Sequence, residues 1–474
     1  MKKGNFINQF FTQIPKRMNR VKTLSMLLLS LVVSLSACNK YLDIQPQQSI
    51  DQSVALNSSQ DVQNVLIGAY NEMGNYYLFG GQFMMMPDLL AATNELKWGG
   101  TFQSPREANN KAIHVDNGFV TDMWENSYQT INICNNVLAS LDKITDAGTK
   151  TTVEGEAKFI RGSIYFELVD LWGKTYTDGD PNGNKGVPII LKPTRGITSA
   201  DNVSRNSVGE VYTQVISDLN DAKAKLPESN GFLANNYAAS AMLSRVYLMM
   251  GDYQKALTEA NRVIESGNYS LVKNYMDEFN NGSNTTEDIF AMQVNSQDGD
   301  NSLQTFYGSS SSSDIPNPGR GDITMTQSFM SLYDTTDTRR QQFYLSSDNT
   351  NYFTHKYDNP FANVVVVRLA EIYLTRAECN YRLGSTTGAT PLADVNTIRE
   401  RAGLPDLTTI SNVDQILTER KKELAFEGHF LDDIKRTHGS VGSLPWNSPK
   451  LVFPIPQREI DANPNLTQNN GYGS

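Results

Sequence analysis

The sequence lacks the short motifs that mark common classes of enzyme. It has no Gly-x-Ser-x-Gly nucleophile elbow, no phosphate-binding loop ending in Gly-Lys-Ser/Thr, and no His-Glu-x-x-His zinc motif. Its four histidines are scattered along the chain, and we expect each to be a surface or structural residue: His114, His355, His429 and His438. The sequence therefore predicts no catalytic residues and no enzyme.

A hydrophobic run long enough to span a membrane is also missing. The apolar run near the start, residues 23–37, has fifteen residues without a charge, whereas a spanning helix needs about 20. It follows four basic residues and ends in small residues, which is the order of a secretory signal.

The signal ends at Leu35-Ser36-Ala37-Cys38, which resembles the bacterial lipobox. In that motif the cysteine thiol takes a diacylglycerol and becomes the new N-terminus. We expect residues 1–37 to be a cleaved signal peptide and Cys38 to carry the lipid. An ordinary signal peptide with a chance cysteine is the alternative, and the start codon stays open between Met1 and Met18.

Basic residues are scarce in the expected mature chain. Six of the 41 Lys and Arg residues lie in residues 1–37, which leaves 35 against 51 acidic residues and a formal charge of −16. Binding to nucleic acid depends on clustered Lys and Arg, so we exclude nucleic acid as a partner.

Cysteine is too rare for a disulfide framework. Besides Cys38 there are only Cys134 and Cys379, both in helix-like stretches. We expect two buried free thiols, with one Cys134–Cys379 bridge as the alternative.

Helical patterns dominate what is present. Ser207 and Glu210 form a capping box before an apolar stripe that Pro227 ends. Residues 153–173 are apolar on nearly all sides, which predicts a buried helix in which Arg161 is an internal ion-pair partner. We expect Arg399 and Arg401 to act similarly beside the acidic side chains of the charged helix at 412–436, Glu419 and Glu423.

Two segments resemble tetratricopeptide helix pairs. The first, residues 238–269, turns at Gly251-Asp252, and the second joins residues 368–384 to residues 391–403. A free-standing solenoid needs at least three repeats, so we expect the pairs to be a scaffold inside a larger domain. Residues 80–118, 173–206 and 295–322 lack periodicity and are expected to be long loops.

One loop has a partial calcium motif. Asp178, Asp180 and Asn182 alternate before Gly183, as an EF-hand loop begins. Ile189 stands where a bidentate Glu belongs. A plain Asp/Asn/Gly turn is the favoured interpretation, and calcium is a weak alternative to having no metal or cofactor.

Five blocks, in order, resemble the SusD/RagB family of Bacteroidetes outer-membrane lipoproteins. They are "CNKYLDIQPQ"; "EAKFIRGSIYFELVDLWG" with "GVPIIL"; "VVVVRLAEIYLTRAECNYRLG" with "VNTIRERAGLP"; "ILTERKKELAFEGHFLDDIKRT"; and "LVFPIPQREIDANPNLTQNNGY". The resemblance implies a mainly α fold, with tetratricopeptide-like helix pairs as scaffold and long ligand-binding loops. We divide the mature chain into parts 38–235 and 236–474, packed as one body.

The resemblance also implies a role. Such proteins are anchored to the outer membrane by lipid, face the cell exterior, cap a SusC-like TonB-dependent transporter, and bind oligosaccharides without catalysis. Two alternatives stay open: a RagB-like peptide ligand, and a structural or adhesive lipoprotein that holds a protein partner.

Sugar rings have apolar faces that lie against aromatic rings, so the candidate ligand-binding residues are loop aromatics. Trp98 is the first candidate, followed by Phe306 and Tyr307. For each of them the alternative is burial beneath a loop. Trp124 and Trp172 lie in helical patterns and are expected in the core.

Overall fold

Helices make up most of the regular structure, as the sequence predicted. The computed structural model describes residues 56–196, 198, 201–294, 296–297 and 301–473, and Leu56–Ser474 form one compact unit. The expected signal peptide 1–37 and lipid-attachment residue Cys38 lie outside the described residues.

The elements are numbered in chain order. The α-helices are α1 (Ser59–Met73), α2 (Gln82–Ala91), α3 (Gln103–Asn109), α4 (Gly118–Ala139), α5 (Ala147–Trp172), α6 (Val208–Lys225), α7 (Asn236–Met249), α8 (Tyr253–Glu265), α9 (Ser302–Tyr307), α10 (Gln327–Met330), α11 (Leu369–Leu383), α12 (Pro391–Arg401), α13 (Val413–Glu423), α14 (Phe430–Arg436) and α15 (Gln457–Ala462). The strands are β1 (Leu96–Trp98), β2 (Asp288–Met292), β3 (Ile323–Met325), β4 (Phe343–Leu345), β5 (Tyr352–Thr354), β6 (Val364–Arg368), β7 (Ser440–Val441) and β8 (Leu444–Pro445).

Helix α5 is the buried helix that the apolar run predicted. Asp146 caps its N-terminus, because the Asp146 side chain accepts a hydrogen bond from the Thr149 amide. The helix packs between α4 and α6. Its one buried cation is paired as predicted, because Arg161 binds both carboxylate oxygens of Asp218 at 2.8 Å. Helix α6 begins with the predicted capping box of Ser207 and Glu210.

Both predicted helix pairs are present. Helices α7 and α8 meet at Gly251, whose φ of +72° is one that side-chain-bearing residues rarely adopt. Helix α8 packs on α11, which in turn packs on α12 and α13. Arg245 of α7 is bonded to both carboxylate oxygens of Glu371 in α11, so the two pairs are joined by a buried ion pair.

The strands are short and form small antiparallel sheets. One sheet has the order β1-β3-β5-β4, another pairs β2 with β6, and the last pairs β7 with β8. Strand β1 is an edge strand in which Trp98 lies opposite Ile323 of β3. This pairing places the Trp98 loop beside the loop that precedes β3.

Two of the three expected loops contain helices, so that prediction is wrong for them. Residues 80–118 contain α2 and α3, and residues 295–322 contain α9. Every residue of α2 is buried, including Gln82 and Asp88. A helix that is apolar all round has no periodic stripe to detect, and α9 has only six residues. The described part of 173–206 has no α-helix or strand of its own.

Buried charges form a network around Arg368. Its guanidinium lies 2.8 Å from Glu287, 2.7 Å from Glu423 and 2.8 Å from Glu427. Arg401 also contacts Glu423. Burial alone would raise the pKa of Glu423, but the nearby arginine charges outweigh it and hold that pKa well below its usual range. The predicted pairing of Arg399 and Arg401 is confirmed, with Arg399 lying 3.3 Å from Glu419.

The environments of two cysteines and two tryptophans agree with the predictions from the sequence. Cys134 and Cys379 are buried free thiols, and burial raises the pKa of each to about 12. Trp124 and Trp172 are in the core. Among the helices of the described residues, none combines the length and hydropathy that crossing a membrane requires.

Replacing Glu423 tests the network. In Glu423→Gln, Arg339, Arg368 and Arg401 lose a buried counter-charge. We therefore expect the free energy of unfolding to fall by about 3–5 kcal/mol, measured by urea denaturation at pH 7. The control is Glu228→Gln at an exposed position, which should change stability by less than about 0.5 kcal/mol. An unchanged urea midpoint for Glu423→Gln would contradict the role of the network.

The same variant has a predicted pH dependence. The folded-state pKa of Glu423 is lowered, so its stabilisation is present above the unfolded pKa of about 4.3 and is lost as the pH falls below it. The stability difference between wild type and Glu423→Gln should therefore shrink from pH 5 towards pH 3. A constant difference over that range would contradict the assigned ionisation.

A thiol titration tests the cysteine assignment. In denatured, unreduced protein carrying Cys38→Ala, two thiols per chain should react with the reagent. A Cys134–Cys379 bridge would leave none to react. Before denaturation both thiols should react slowly, because each is buried and largely protonated at neutral pH.

Candidate functional site

Four partly exposed aromatic side chains pack against one buried phenylalanine, and a fifth packs against one of these four. We call them the aromatic surface: Tyr76, Tyr77, Trp98, Phe102 and Phe119. The ring centroids of Trp98, Tyr76, Phe119 and Phe102 lie 5.7, 6.0, 6.1 and 6.2 Å from that of Phe306. Tyr77 contacts Tyr76 edge-on at 5.3 Å. Phe306 therefore forms a shared floor beneath the surface.

Separate parts of the chain supply these rings. Tyr76 and Tyr77 follow the end of α1, Trp98 ends β1, Phe102 caps α3, and Phe119 lies in the first turn of α4. Each ring packs on its neighbours with one part and leaves the rest exposed to solvent. About 41% of Phe102 is accessible to solvent.

Trp98 is held in a fixed orientation. Its backbone N–H donates to Asn109 Oδ1 at 3.2 Å, and its indole N–H donates to the Phe102 carbonyl at 3.1 Å. A Cβ on Gly100 would lie 2.7 Å from the indole and 2.4 Å from the carboxyl carbon of Asp322. Only glycine allows the loop to pack this closely against the ring.

Charged and polar groups border the rings. The guanidinium of Arg320 lies 4.5 Å from the centre of the Phe102 ring, within the range of a cation–π contact. Arg320 also donates to Asp322 at 2.7 Å and to the Thr101 hydroxyl at 3.2 Å. Arg320 and Thr101 are exposed, so hydrogen-bonding groups lie next to the apolar ring faces.

A cleft of about 410 Å³ continues from the aromatic surface. Tyr76 and Tyr77 belong to both, and the cleft is also lined by Phe232, Gln293 and Asn301. Phe232 is 63% exposed. The cleft is within the usual size range of small-molecule sites and combines aromatic with amide side chains, as such sites do.

The two tyrosines carry free hydroxyl groups. Asn75 fixes their turn, because its side-chain oxygen accepts the amide hydrogens of Tyr77 and Leu78. Partial burial raises the pKa of Tyr76 to about 12, so its phenol stays protonated at neutral pH. Within the described part of the chain, neither phenol oxygen of Tyr76 or Tyr77 has a hydrogen-bond partner, and both can bond to a ligand.

The three candidate residues that the sequence predicted lie in different environments in the structure. Trp98 lies at the surface with its ring partly exposed, as expected. Phe306 and Tyr307 are fully buried in α9, so the expectation that they are exposed loop aromatics is wrong. Phe306 supports the aromatic surface from below, and Tyr307 packs against Tyr357 at 5.3 Å in the core.

Sequence reasoning missed most of the aromatic surface. Phe102 directly precedes the short helix α3 and Phe119 follows it, in a stretch whose lack of periodicity predicts a loop rather than a helix. Tyr76 and Tyr77 follow Gly74-Asn75, a turn signal that could have placed them beyond the end of α1. The contribution of Arg320 depends on the β1–β3 pairing, which no local pattern reveals.

The calcium motif folds as a turn. Asp180 Oδ1 accepts the Asn182 amide at 3.0 Å, and its carbonyl accepts the amides of Gly183 and Asn184. The carboxylate of Asp178 lies 3.2 Å from Lys174. Asp178 is thus paired with a lysine, and Ile189 stands at the position where an EF-hand loop has its bidentate Glu. Across the described ranges, no group of three or more His, Cys, Asp or Glu residues is arranged to hold a metal.

Two family models match the chain. A model described as "Starch-binding associating with outer membrane" matches residues 40–248, and the SusD family model matches residues 345–447. Together they cover well over half of the sequence, and they include both the aromatic surface and the second helix pair.

Individual relatives give the same result. A SusD-like protein of Formosa agariphila is 24% identical and aligns with 93% of this chain and 98% of its own length. The starch-binding protein SusD of Bacteroides thetaiotaomicron is 30% identical over 127 residues, which are 24% of this chain and 22% of SusD. A crystal structure of a SusD superfamily protein from Bacteroides thetaiotaomicron superposes with a TM-score of 0.76 at 25% identity, over 87% of this chain and 99% of that one. The α-rich fold, the ordered motifs and the matches along the chain agree, and the protein belongs to the SusD/RagB family.

Proposed function

We propose that this protein binds oligosaccharides on its aromatic surface and delivers them to a SusC-like TonB-dependent transporter. The observation that carries the proposal is the group of five partly exposed rings, four of them packed on Phe306, with Arg320 and two tyrosine hydroxyls at its edge. The matched family model is described as starch-binding and associated with the outer membrane, and SusD itself is a starch-binding protein.

The geometry suits a chain of sugars better than a single small molecule. Each sugar ring has an apolar face that can lie on an aromatic ring, and burying that face removes apolar area from water. The hydroxyls at the ring edges need donors and acceptors, which the Tyr76 and Tyr77 phenols, Thr101 and Arg320 supply. Because the rings continue into the cleft of about 410 Å³, successive sugars can bind along one path.

The proposed site of action is the exterior face of the outer membrane. A lipid on Cys38 would anchor the chain there, and residues 39–55 would connect it to the compact unit. A lipoprotein with an exposed sugar site adjacent to a transporter raises the local concentration of substrate at the entrance. No chemical step is required of the protein in this role, and we propose that it is not an enzyme.

Affinity electrophoresis tests the ligand class. The protein from residue 39 onwards is run through native gels that contain different polysaccharides. We expect retardation by at least one of them and about 30-fold weaker binding for Trp98→Ala, which removes a central ring. Phe102→Ala, at a more exposed ring, should weaken binding with little loss of stability.

The matched control is Trp446→Ala. Trp446 is also partly exposed and stacks on one neighbour, His438, at 3.9 Å, but it is not part of the aromatic surface. The Trp446→Ala variant should be retarded as strongly as the wild-type protein. Retardation that survives both Trp98→Ala and Phe102→Ala would contradict the proposed site, and binding of peptides with no polysaccharide retained would contradict the ligand class.

A purification tests the partner. The full-length chain, tagged at its C-terminus and extracted from outer membranes in mild detergent, should co-purify with a TonB-dependent transporter. The Cys38→Ala form should lose both membrane attachment and the transporter. Recovery of the lipidated protein alone would contradict the partnership.

A further inference from the structure

A second cleft, of about 320 Å³, has a different chemical character. It shares no lining residue with the aromatic surface or the cleft beside it. Three basic side chains line it, together with one acidic residue and several amides: Lys174, Lys185, Arg205, Asp178, Asn184 and Asn447. Its lining therefore carries a net positive charge, whereas the expected mature chain is strongly negative.

Arg205 lies at the base of this cleft and is 5% exposed. Its guanidinium donates four hydrogen bonds, all to backbone carbonyls, and these belong to Gly186, Trp172, Lys185 and Thr467. A guanidinium has five N–H groups, so one N–H on Nη1 is left over. Burial lowers the pKa of Arg205 to about 10, and the side chain remains charged at neutral pH.

The other buried arginines of the described residues are different. Each has a carboxylate oxygen 2.6–3.1 Å away: Arg161, Arg245, Arg339, Arg368, Arg376, Arg420 and Arg436. In the same part of the chain, Arg205 has no carboxylate within 4.0 Å. An unpaired buried charge is costly, and the carbonyl of Trp172, at the C-terminal end of α5, offsets only part of it.

The lysines at the rim increase the positive potential. Lys185 is exposed, and no described carboxylate lies within 4.0 Å of its amino group. The amino group of Lys174 lies 3.2 Å from Asp178, so one basic charge is balanced within the cleft. Two positive charges, on Arg205 and Lys185, remain for a ligand.

We propose that this cleft binds an acidic sugar residue. Its carboxylate or sulfate group is held by Arg205 and Lys185, and its hydroxyls bond to the amide side chains of Asn184 and Asn447. The volume suits one sugar ring rather than a longer chain. A carboxylate is a planar oxyanion and a sulfate ester is a tetrahedral one. Arginine and lysine recognise both by charge-assisted hydrogen bonds. The assignment does not depend on the aromatic surface binding glycans.

Calorimetric titration tests the site with four probes: glucuronate, glucose 6-sulfate, glucose and inorganic sulfate. The protein from residue 39 onwards is used, because Leu56–Ser474 form one compact unit. We expect binding of at least one acidic sugar, with affinity that falls as salt is added, and no binding of glucose at the same concentration. Glucuronate and glucose 6-sulfate distinguish a carboxylate from a sulfate ester.

Charge reversal at the rim identifies the site without disturbing the core. Lys185→Glu should weaken binding of the acidic sugar at least about tenfold. The control Lys273→Glu makes the same charge change at an exposed position outside the cleft and should have no effect. Arg205→Lys keeps the charge but loses the guanidinium geometry, and it should also weaken binding if the variant folds.

Three results would overturn the proposal. The first is equal binding of glucose and glucuronate. The second is acidic-sugar binding that Lys185→Glu leaves unchanged. The third is a response to inorganic sulfate with none to either acidic sugar, which would indicate an adventitious ion only.

Discussion

The buried charge network around Arg368 is the interaction on which the rest of the structure depends. Arg368 ends strand β6, Glu423 ends helix α13, and Glu287 precedes strand β2. The network therefore fixes the second helix pair to the β2–β6 sheet by charge as well as by apolar contact. Each ion was removed from water at a cost of several kcal/mol, and this cost is offset only while every partner is present. Such a network specifies one arrangement of its elements, because any slippage leaves a buried charge unpaired.

The position of the aromatic surface follows from that network. Lys356 pairs with Glu427 at 2.6 Å, and the chain then turns so that the amides of Gly428 and Phe430 donate to Asp88 of α2. Burial raises the pKa of Asp88 to about 7, although these two hydrogen bonds oppose the shift.

Helix α2 leads directly into β1 and Trp98, and it also packs on α9, which carries Phe306. The rings are thus held by the core rather than by their own loops, and a ligand meets a surface that is already formed. This lowers the entropic cost of binding.

Much of the fold could be predicted from the sequence, whereas most of the site could not. Helices α5, α6, α7 and α8 carry their own caps and apolar patterns, so local rules find them. Helix α2 has no polar face, and its burial depends on Asp88 accepting bonds from residues 340 positions away. The polar, serine-rich sequence after Phe306 predicts a loop there, yet Phe306 is buried because it packs against four rings that come from separate parts of the chain. The sequence predicted that arginines such as Arg401 would pair with acidic side chains such as Glu423. The position of Arg368 at the centre of the network, however, depends on the tertiary fold.

The proposed function requires a sugar chain to lie on the rings around Phe306. A crystal structure of the protein bound to an oligosaccharide, chosen from a polysaccharide that the protein retains, tests it most directly. We expect sugar rings stacked against Trp98 and Phe102, hydroxyls within hydrogen-bonding distance of Tyr76, Tyr77 or Arg320, and little movement of the backbone between residues 96 and 102. An oligosaccharide bound without contact to any of the five rings would contradict it.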